Sequence, residues 1–248
     1  MPAEITQHTT PLGPRWAKGS AGFISPDGAT GFDSDELRSR LTGLATIYNT
    51  QAARLQPEHV APTVREESWS ATVRGAARNA FNAALTEARA ARAADLGHLE
   101  PARPVDPAVA IDVAQAFRAM SRADRARAIN EAALEELTAL HQYGHQVPLL
   151  PEESARVLAR YRVENRLVAQ NAAARHPATP TVEHPLVIGP DMGAARAEVE
   201  GWEAAHRARL EAVEANEATA RYLIQFLAAV YDVAPSAVLD GILGRDDA

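Results

Sequence analysis

The spacing of apolar residues along the chain predicts a protein built mainly of helices. From about Asp191 to Tyr231, apolar residues recur every three or four positions, which is typical of a helix face packed on other helices. Pro235 cannot continue a helix, so we expect this one to end near Asp232. About forty residues would give a rod of about 60 Å, which is longer than a compact domain of this size. Either the helix breaks, near Gly201 or Asn216, or part of it projects beyond its own core, which is the alternative that we favour. The predicted packing face consists of Val199, Trp202, Leu210, Val213, Ile224, Leu227 and Tyr231.

The last three turns of this helix differ from the rest. Residues 222–233 (YLIQFLAAVYDV) are apolar almost all round. A helix of this kind is buried on all sides or lies in a membrane, and twelve residues are fewer than the roughly twenty that a span needs. We therefore expect burial against other helices or against another subunit.

Capping signals predict the remaining helices. Pairs of an acceptor residue with a downstream carboxylate, and prolines suited to a first helical turn, mark several helix starts. These starts lie at Asp33–Glu36, Thr63–Glu66, Asp106–Pro107, Ser121–Asp124 and Pro151. The fold class predicted is all-α, an elongated bundle of five to seven helices with an extended, irregular N-terminal arm and no credible sheet. The predicted parts are an arm (1–33), a bundle (34–175), a Pro-rich linker (176–193), the long helix (194–233) and a short helix with a tail (234–248). Within the linker, Leu186 to Ile188 is either a short strand or an extended segment lying on a helical face.

Residues 1–33 are interrupted by proline and glycine and show no helical or alternating period. A disordered tail would contain few large apolar residues, whereas this one contains four. These candidate anchors are Trp16, Phe23, Ile24 and Phe32. Two interpretations stay open: the arm folds back on its own core, or it docks on another subunit.

Composition and charge narrow the function. The chain has no cysteine, so disulfides, thiolate nucleophiles and cysteine-bound metals are excluded. The N-terminus lacks the order of a signal peptide, and we expect synthesis in the cytoplasm. With a net charge of −7, the chain is not expected to bind nucleic acid as a direct specific ligand. We expect neither a membrane span nor a cofactor.

Three residue patterns are candidates for metal binding or phosphate binding. His141 and His145 have helical metal-ligand spacing, but Gly144 and Pro148 place them at a helix end. Glu203 and His206 match one half of a di-metal bundle motif, and no second copy is present. Two arginine-rich helical stretches are interleaved with glutamates, which favours a solvated or interface face. Their arginines are Arg118, Arg122 and Arg125, and Arg156, Arg160, Arg162 and Arg166.

The absence of a recognisable catalytic motif, the arm and the long helix together favour assembly over catalysis. We expect a non-enzymatic structural protein that acts as one copy in a larger oligomer. By analogy of architecture, the specific kind of structural protein that we expect is a bacteriophage virion component, such as a head, connector or internal core protein. The alternative is an intracellular helical adaptor or regulatory dimer. A third class is a ligand-binding or catalytic bundle with a pocket near Tyr161, Trp202 and His206.

Overall fold

A computed structural model of the chain describes residues 4–27, 31–183 and 186–245. Parts of the predicted arm (1–3 and 28–30), of the linker (184–185) and of the tail (246–248) lie outside the described residues. The described chain is mostly helical, with ten α-helices and one three-stranded sheet. It forms two compact units, one comprising Met1–Arg92 with Arg209–Ala248 and the other Ala93–Ala208, named unit 1 and unit 2 below.

Unit 1 begins with the sheet, which corrects the prediction of an irregular arm and of a fold without strands. Its strands are β1 (Ile5–Thr10), β2 (Gly13–Lys18) and β3 (Ala21–Ile24), antiparallel in the order β1-β2-β3. A two-residue turn joins β2 to β3, and its first residue, Gly19, has φ 59°, as tight hairpin turns require. The side chains of Trp16 and Phe23 lie opposite each other in register and are both fully buried.

The helices of the two units begin and end mostly at local signals. They are α1 (Asp35–Ala52), α2 (Pro57–Ser68), α3 (Arg74–Leu99), α4 (Pro107–Ala119), α5 (Arg122–Glu131), α6 (Leu134–Tyr143), α7 (Pro151–Ala169), α8 (Ala172–Arg175), α9 (Met192–Tyr231) and α10 (Pro235–Leu243). The count of ten in the described chain exceeds the five to seven predicted. Asp106 and Ser121 cap α4 and α5 as predicted, whereas Ser34, not Asp33, caps α1.

The predicted helix start at Thr63 is wrong. Pro57 occupies the first turn of α2, where its missing N–H costs nothing, and the helix then runs through Thr63. A π-helical segment, Trp69–Val73, connects α2 to α3. Thr63 and Glu66 therefore lie inside a helix and not at its start.

The long C-terminal helix is confirmed as one uninterrupted element of 40 residues. It continues through Gly201 and ends where Asp232 adopts a left-handed φ of 51°. Its first part belongs to unit 2 and its last part to unit 1. Among the described residues no single helix is long and apolar enough to cross a membrane, although α9 and α10, bent by 111°, pass that test as a pair.

The core of unit 1 is formed by the sheet, α1, α2, α3, the end of α9 and α10. Residues 222–233 contribute one buried side, while Tyr222 is 57% exposed on the other. The buried members from the end of α9 are Leu223, Phe226, Leu227, Ala228, Val230 and Tyr231. Unit 2 has smaller clusters, formed by α4 to α7 and by the start of α9.

Candidate interaction site

Three of the four predicted arm anchors are buried in unit 1. Trp16, Phe23 and Phe32 have no exposed surface and join the main core cluster. Phe23 stacks on Trp16 with ring centroids 6.1 Å apart. Ile24 is only partly buried. Because these three aromatic side chains are already buried within their own unit, they offer no surface to a neighbouring subunit.

Polar contacts fix the sheet against the helices of unit 1. Lys18, the only lysine, donates from Nζ to the carbonyl oxygen of Ala229 at 2.6 Å and lies over the Tyr48 ring. Arg38 pairs with Asp27 at 2.6 Å, just beyond β3. These contacts place the β2–β3 hairpin firmly beside the end of α9.

Both outer edges of the sheet carry backbone groups that point away from β2. On β1, the Asn49 side chain accepts from the Ile5 N–H at 2.8 Å and donates to the Ile5 carbonyl oxygen at 2.9 Å, whereas the outward backbone groups of Gln7 and Thr9 have no hydrogen-bond partner among the described residues. Just beyond β3, the Ser25 N–H donates to the Pro14 carbonyl oxygen of β2. Hydrogen-bonded and non-hydrogen-bonded residues alternate along an antiparallel pair, so Gly22 and Ile24 of β3 point their backbone groups away from β2. Within the described part of the chain, these backbone groups of Gly22 and Ile24 have no hydrogen-bond partner. The β3 edge is therefore open to another strand.

An open groove of about 540 Å³ lies along this edge, between the hairpin and α9. It combines the free backbone of β3 with an apolar side supplied by Leu12, Ile24 and Tyr222. Among the residues that the structure describes, Arg15 is the one charged residue of the lining. Leu12 is 65% exposed. Its lining residues are Leu12, Arg15, Ser20, Ala21, Gly22, Ile24, Pro26, Thr219, Tyr222 and Gln225. We name this feature the edge groove.

The predicted packing face of α9 is used within each unit. In unit 2, Val199 is buried beside Leu167 and Ala195, and Trp202 is partly buried. In unit 1, Leu227 and Tyr231 are buried in the core, whereas Leu210, Val213 and Ile224 are partly exposed. Val213 lines a smaller groove of about 250 Å³ with Phe81 and Leu85.

Unit 2 contains a polar cluster around Trp202 and His206, the residues suggested by sequence for a ligand pocket. His206 Nε2 lies 3.2 Å from Asp95 Oδ1, and Arg162 pairs with the same carboxylate at 2.8 Å. Trp202 is stacked on the His206 ring, with centroids 5.1 Å apart. Tyr161 lies in another cluster and donates its hydroxyl to the Leu99 carbonyl oxygen at 2.9 Å. Among the described residues, Tyr161 makes no hydrogen bond or ring contact with Trp202 or His206.

His98 and Arg166 complete this polar cluster. Arg166 donates to His98 Nδ1 at 2.9 Å and stacks on the Trp202 ring. Burial, followed by the charges of Arg166 and His206, lowers the pKa of His98 below its ordinary value of 6.5. Because a guanidinium can only donate, it favours the neutral imidazole as its acceptor. The arrangement joins α3, α7 and α9 within unit 2 by ion pairs and stacked rings.

The other patterns are also engaged locally. His141 stacks on Tyr161 with centroids 4.4 Å apart, and burial lowers its pKa. Among the described residues, no group of three or more His, Asp or Glu side chains is arranged to hold a metal ion. In the arginine-rich stretches, Arg160 pairs with Glu164 at 3.9 Å four residues along the same helix, as the interleaved glutamates indicated. Arg125 instead pairs at 3.5 Å with Glu153 of another helix, and both side chains are mostly buried, so Arg125 does not lie on a solvated face.

Comparison of the chain with protein-family models, with curated proteins and with solved structures finds no significant match. The edge groove is thus defined by its geometry alone. The sequence did not single out Arg15 or Gly22, and it placed Tyr222 in a segment expected to be buried, whereas Tyr222 is 57% exposed. The Gly19-Ser20 turn flanked by Trp16 and Phe23 was the signal that would have revealed the hairpin.

Proposed function

We propose that this chain is a non-enzymatic structural protein that acts as one copy in a larger assembly. The observation that carries the proposal is the edge groove, where an unpaired strand edge lies beside an exposed aromatic and aliphatic surface. Natural sheets usually protect such edges, and strand addition is a common way in which proteins bind one another. An edge that is left open and flanked by apolar side chains is best explained as a binding surface.

The apolar surroundings of the β3 edge support this proposal. Leu12, Ile24 and Tyr222 line the groove beside this edge, and Leu12 and Tyr222 are 65% and 57% exposed. On β1, Asn49 occupies the Ile5 end of the edge with two hydrogen bonds. A bacteriophage virion component remains the specific form of assembly that we propose, by analogy with helical proteins that work in many copies.

The test is the mass of the full-length protein in solution, measured by light scattering over a concentration series. We expect masses above the 26.6 kDa of one chain, rising with concentration. A mass that stays at one chain at every concentration would reject self-assembly. In that case the same groove is proposed to receive a strand from a different protein, as the adaptor alternative requires.

A further inference from the structure

The loop between α8 and α9, in unit 2, presents an apolar segment to solvent. Leu186 is 86% exposed and Ile188 95% exposed, with Val187 between them also exposed. Single exposed apolar residues are normal, but a contiguous run of three is a candidate contact surface. Valine and isoleucine favour extended backbone, which suits this run for pairing with a strand.

The base of this loop is fixed. Ala178 N–H donates to the Gly189 carbonyl oxygen at 2.8 Å, and Asp191 N–H donates to the His176 carbonyl oxygen at 2.6 Å. The Asp191 side chain then accepts from the Ala194 N–H at 2.9 Å at the start of α9. A closed base reduces the conformational entropy that the loop loses on binding.

The run 186–188 matches the edge groove in two respects. Its apolar side chains match the apolar lining supplied by Leu12, Ile24 and Tyr222. The exposed Glu183 is opposite in charge to Arg15, the charged residue of the groove lining among the residues that the structure describes.

We propose that Leu186 to Ile188 of one copy adds as a fourth strand to the β3 edge of a second copy, with Glu183 paired to Arg15. This inference rests on the proposed function and names the contact that joins the subunits. The contact is heterologous, since the loop and the edge groove are different surfaces. When two copies pair, one still has a free groove and the other a free loop, so further copies can add at both ends. The assembly therefore grows as a ring or a filament.

The first test uses loop variants whose substituted side chains are exposed, so that folding is not at risk. We expect Leu186→Ser combined with Ile188→Ser to weaken self-association by at least about tenfold, measured by sedimentation equilibrium. Val182→Ser is the matched control, because Val182 is 94% exposed in the same loop but lies outside the pairing segment. The control should leave the association constant within about twofold of the parent.

The second test acts on the backbone of the groove. Gly22→Pro removes the outward N–H of β3 without breaking a bond to β2, and we expect it to weaken association by at least about tenfold. Thr9→Pro is the control, since Thr9 is exposed on β1, where its N–H likewise points away from β2, and it does not line the edge groove. Circular dichroism of both variants checks that the sheet has folded.

Mixing decides whether the contact joins separate copies. The Gly22→Pro chain keeps a working loop, and the Leu186→Ser, Ile188→Ser chain keeps a working groove. Each is expected to be monomeric alone, while an equimolar mixture should give a species of about twice the 26.6 kDa chain mass. Arg15→Glu and Glu183→Arg should each weaken association of the parent chain, and the double variant should restore it.

An association constant that none of these changes affects would overturn the inference while leaving the proposed function standing. A mixture that remains monomeric would also overturn it. A parent chain that never associates rejects the proposed function itself, and the concentration series identifies this outcome before any variant is made.

Discussion

Replacing Phe23 by alanine tests whether the N-terminal segment is part of the core of unit 1. Phe23 is fully buried and stacks on Trp16. Truncation of a buried phenylalanine costs about 3–5 kcal/mol, because apolar contacts are lost and a cavity remains. Since a domain is stable by only about 5–15 kcal/mol, this change removes a large part of the stability of unit 1.

The measurement is urea unfolding followed by tryptophan fluorescence. A Trp202→Phe background leaves Trp16 and Trp69 as the only tryptophans, both of which belong to unit 1. We expect the unfolding midpoint of Phe23→Ala to fall at every protein concentration, because the lost contacts lie within one chain. Thr9→Ala, on an exposed position of β1, should change stability by no more than about 0.5 kcal/mol.

Two outcomes would refute this reasoning. A loss of less than about 1 kcal/mol in Phe23→Ala would mean that the ring is not packed in the core. A loss that depends on protein concentration would mean that the segment is held by a neighbouring subunit, as an exchanged arm would be.

Three further predictions follow from individual contacts. Gly13→Ala should destabilise unit 1 by more than about 2 kcal/mol, because Gly13 has φ 127° and a Cβ there overlaps a backbone carbonyl oxygen. Gly43→Ala is the matched comparison: Gly43 lies in a helix with open space around it, so alanine should stabilise unit 1 by about 0.5–1 kcal/mol. Urea titration measures both changes. The pKa of His98 is lower in the folded state than the ordinary value of 6.5, so the unfolded chain binds a proton at this residue more readily than the folded chain. Unit 2 should therefore lose stability as the pH falls through 6.5. His98→Gln should reduce this pH dependence in unfolding curves recorded at several pH values. Tyr231→Phe should cost about 1 kcal/mol in thermal unfolding, since it removes one buried hydrogen bond, 3.1 Å long.

Each of these predictions has an outcome that contradicts it. If alanine at Gly13 and alanine at Gly43 changed the stability equally, the positive φ of Gly13 would not be what makes glycine necessary at that position. Stability that is the same at every pH from 5 to 8 would contradict a neutral His98 in the folded state. A loss well above about 2 kcal/mol in Tyr231→Phe would mean that Ser68 is left unpaired, although its hydroxyl also donates to the Val64 carbonyl at 2.6 Å.

The sequence alone was enough to predict the long helix and most helix starts. The apolar rhythm of α9 repeats over 40 residues, and a signal of that length survives one weak position such as Gly201. The starts at Asp106, Ser121 and Pro151 were predictable because each depends on contacts within a few residues. The end of α9 near Asp232 was also predictable from nearby residues, because Pro235 cannot continue a helix.

Only the tertiary structure revealed the sheet and the edge groove. β1 and β3 each bury one large side chain, and this is too little alternation to distinguish a short strand from a loop. A proline at position 14 also favours a loop over a strand. In the structure, the missing N–H of Pro14 removes only one hydrogen bond between β2 and the chain just beyond β3. The groove combines Arg15 and Gly22 with Tyr222, two hundred residues later in sequence, and no local pattern can bring such distant residues together.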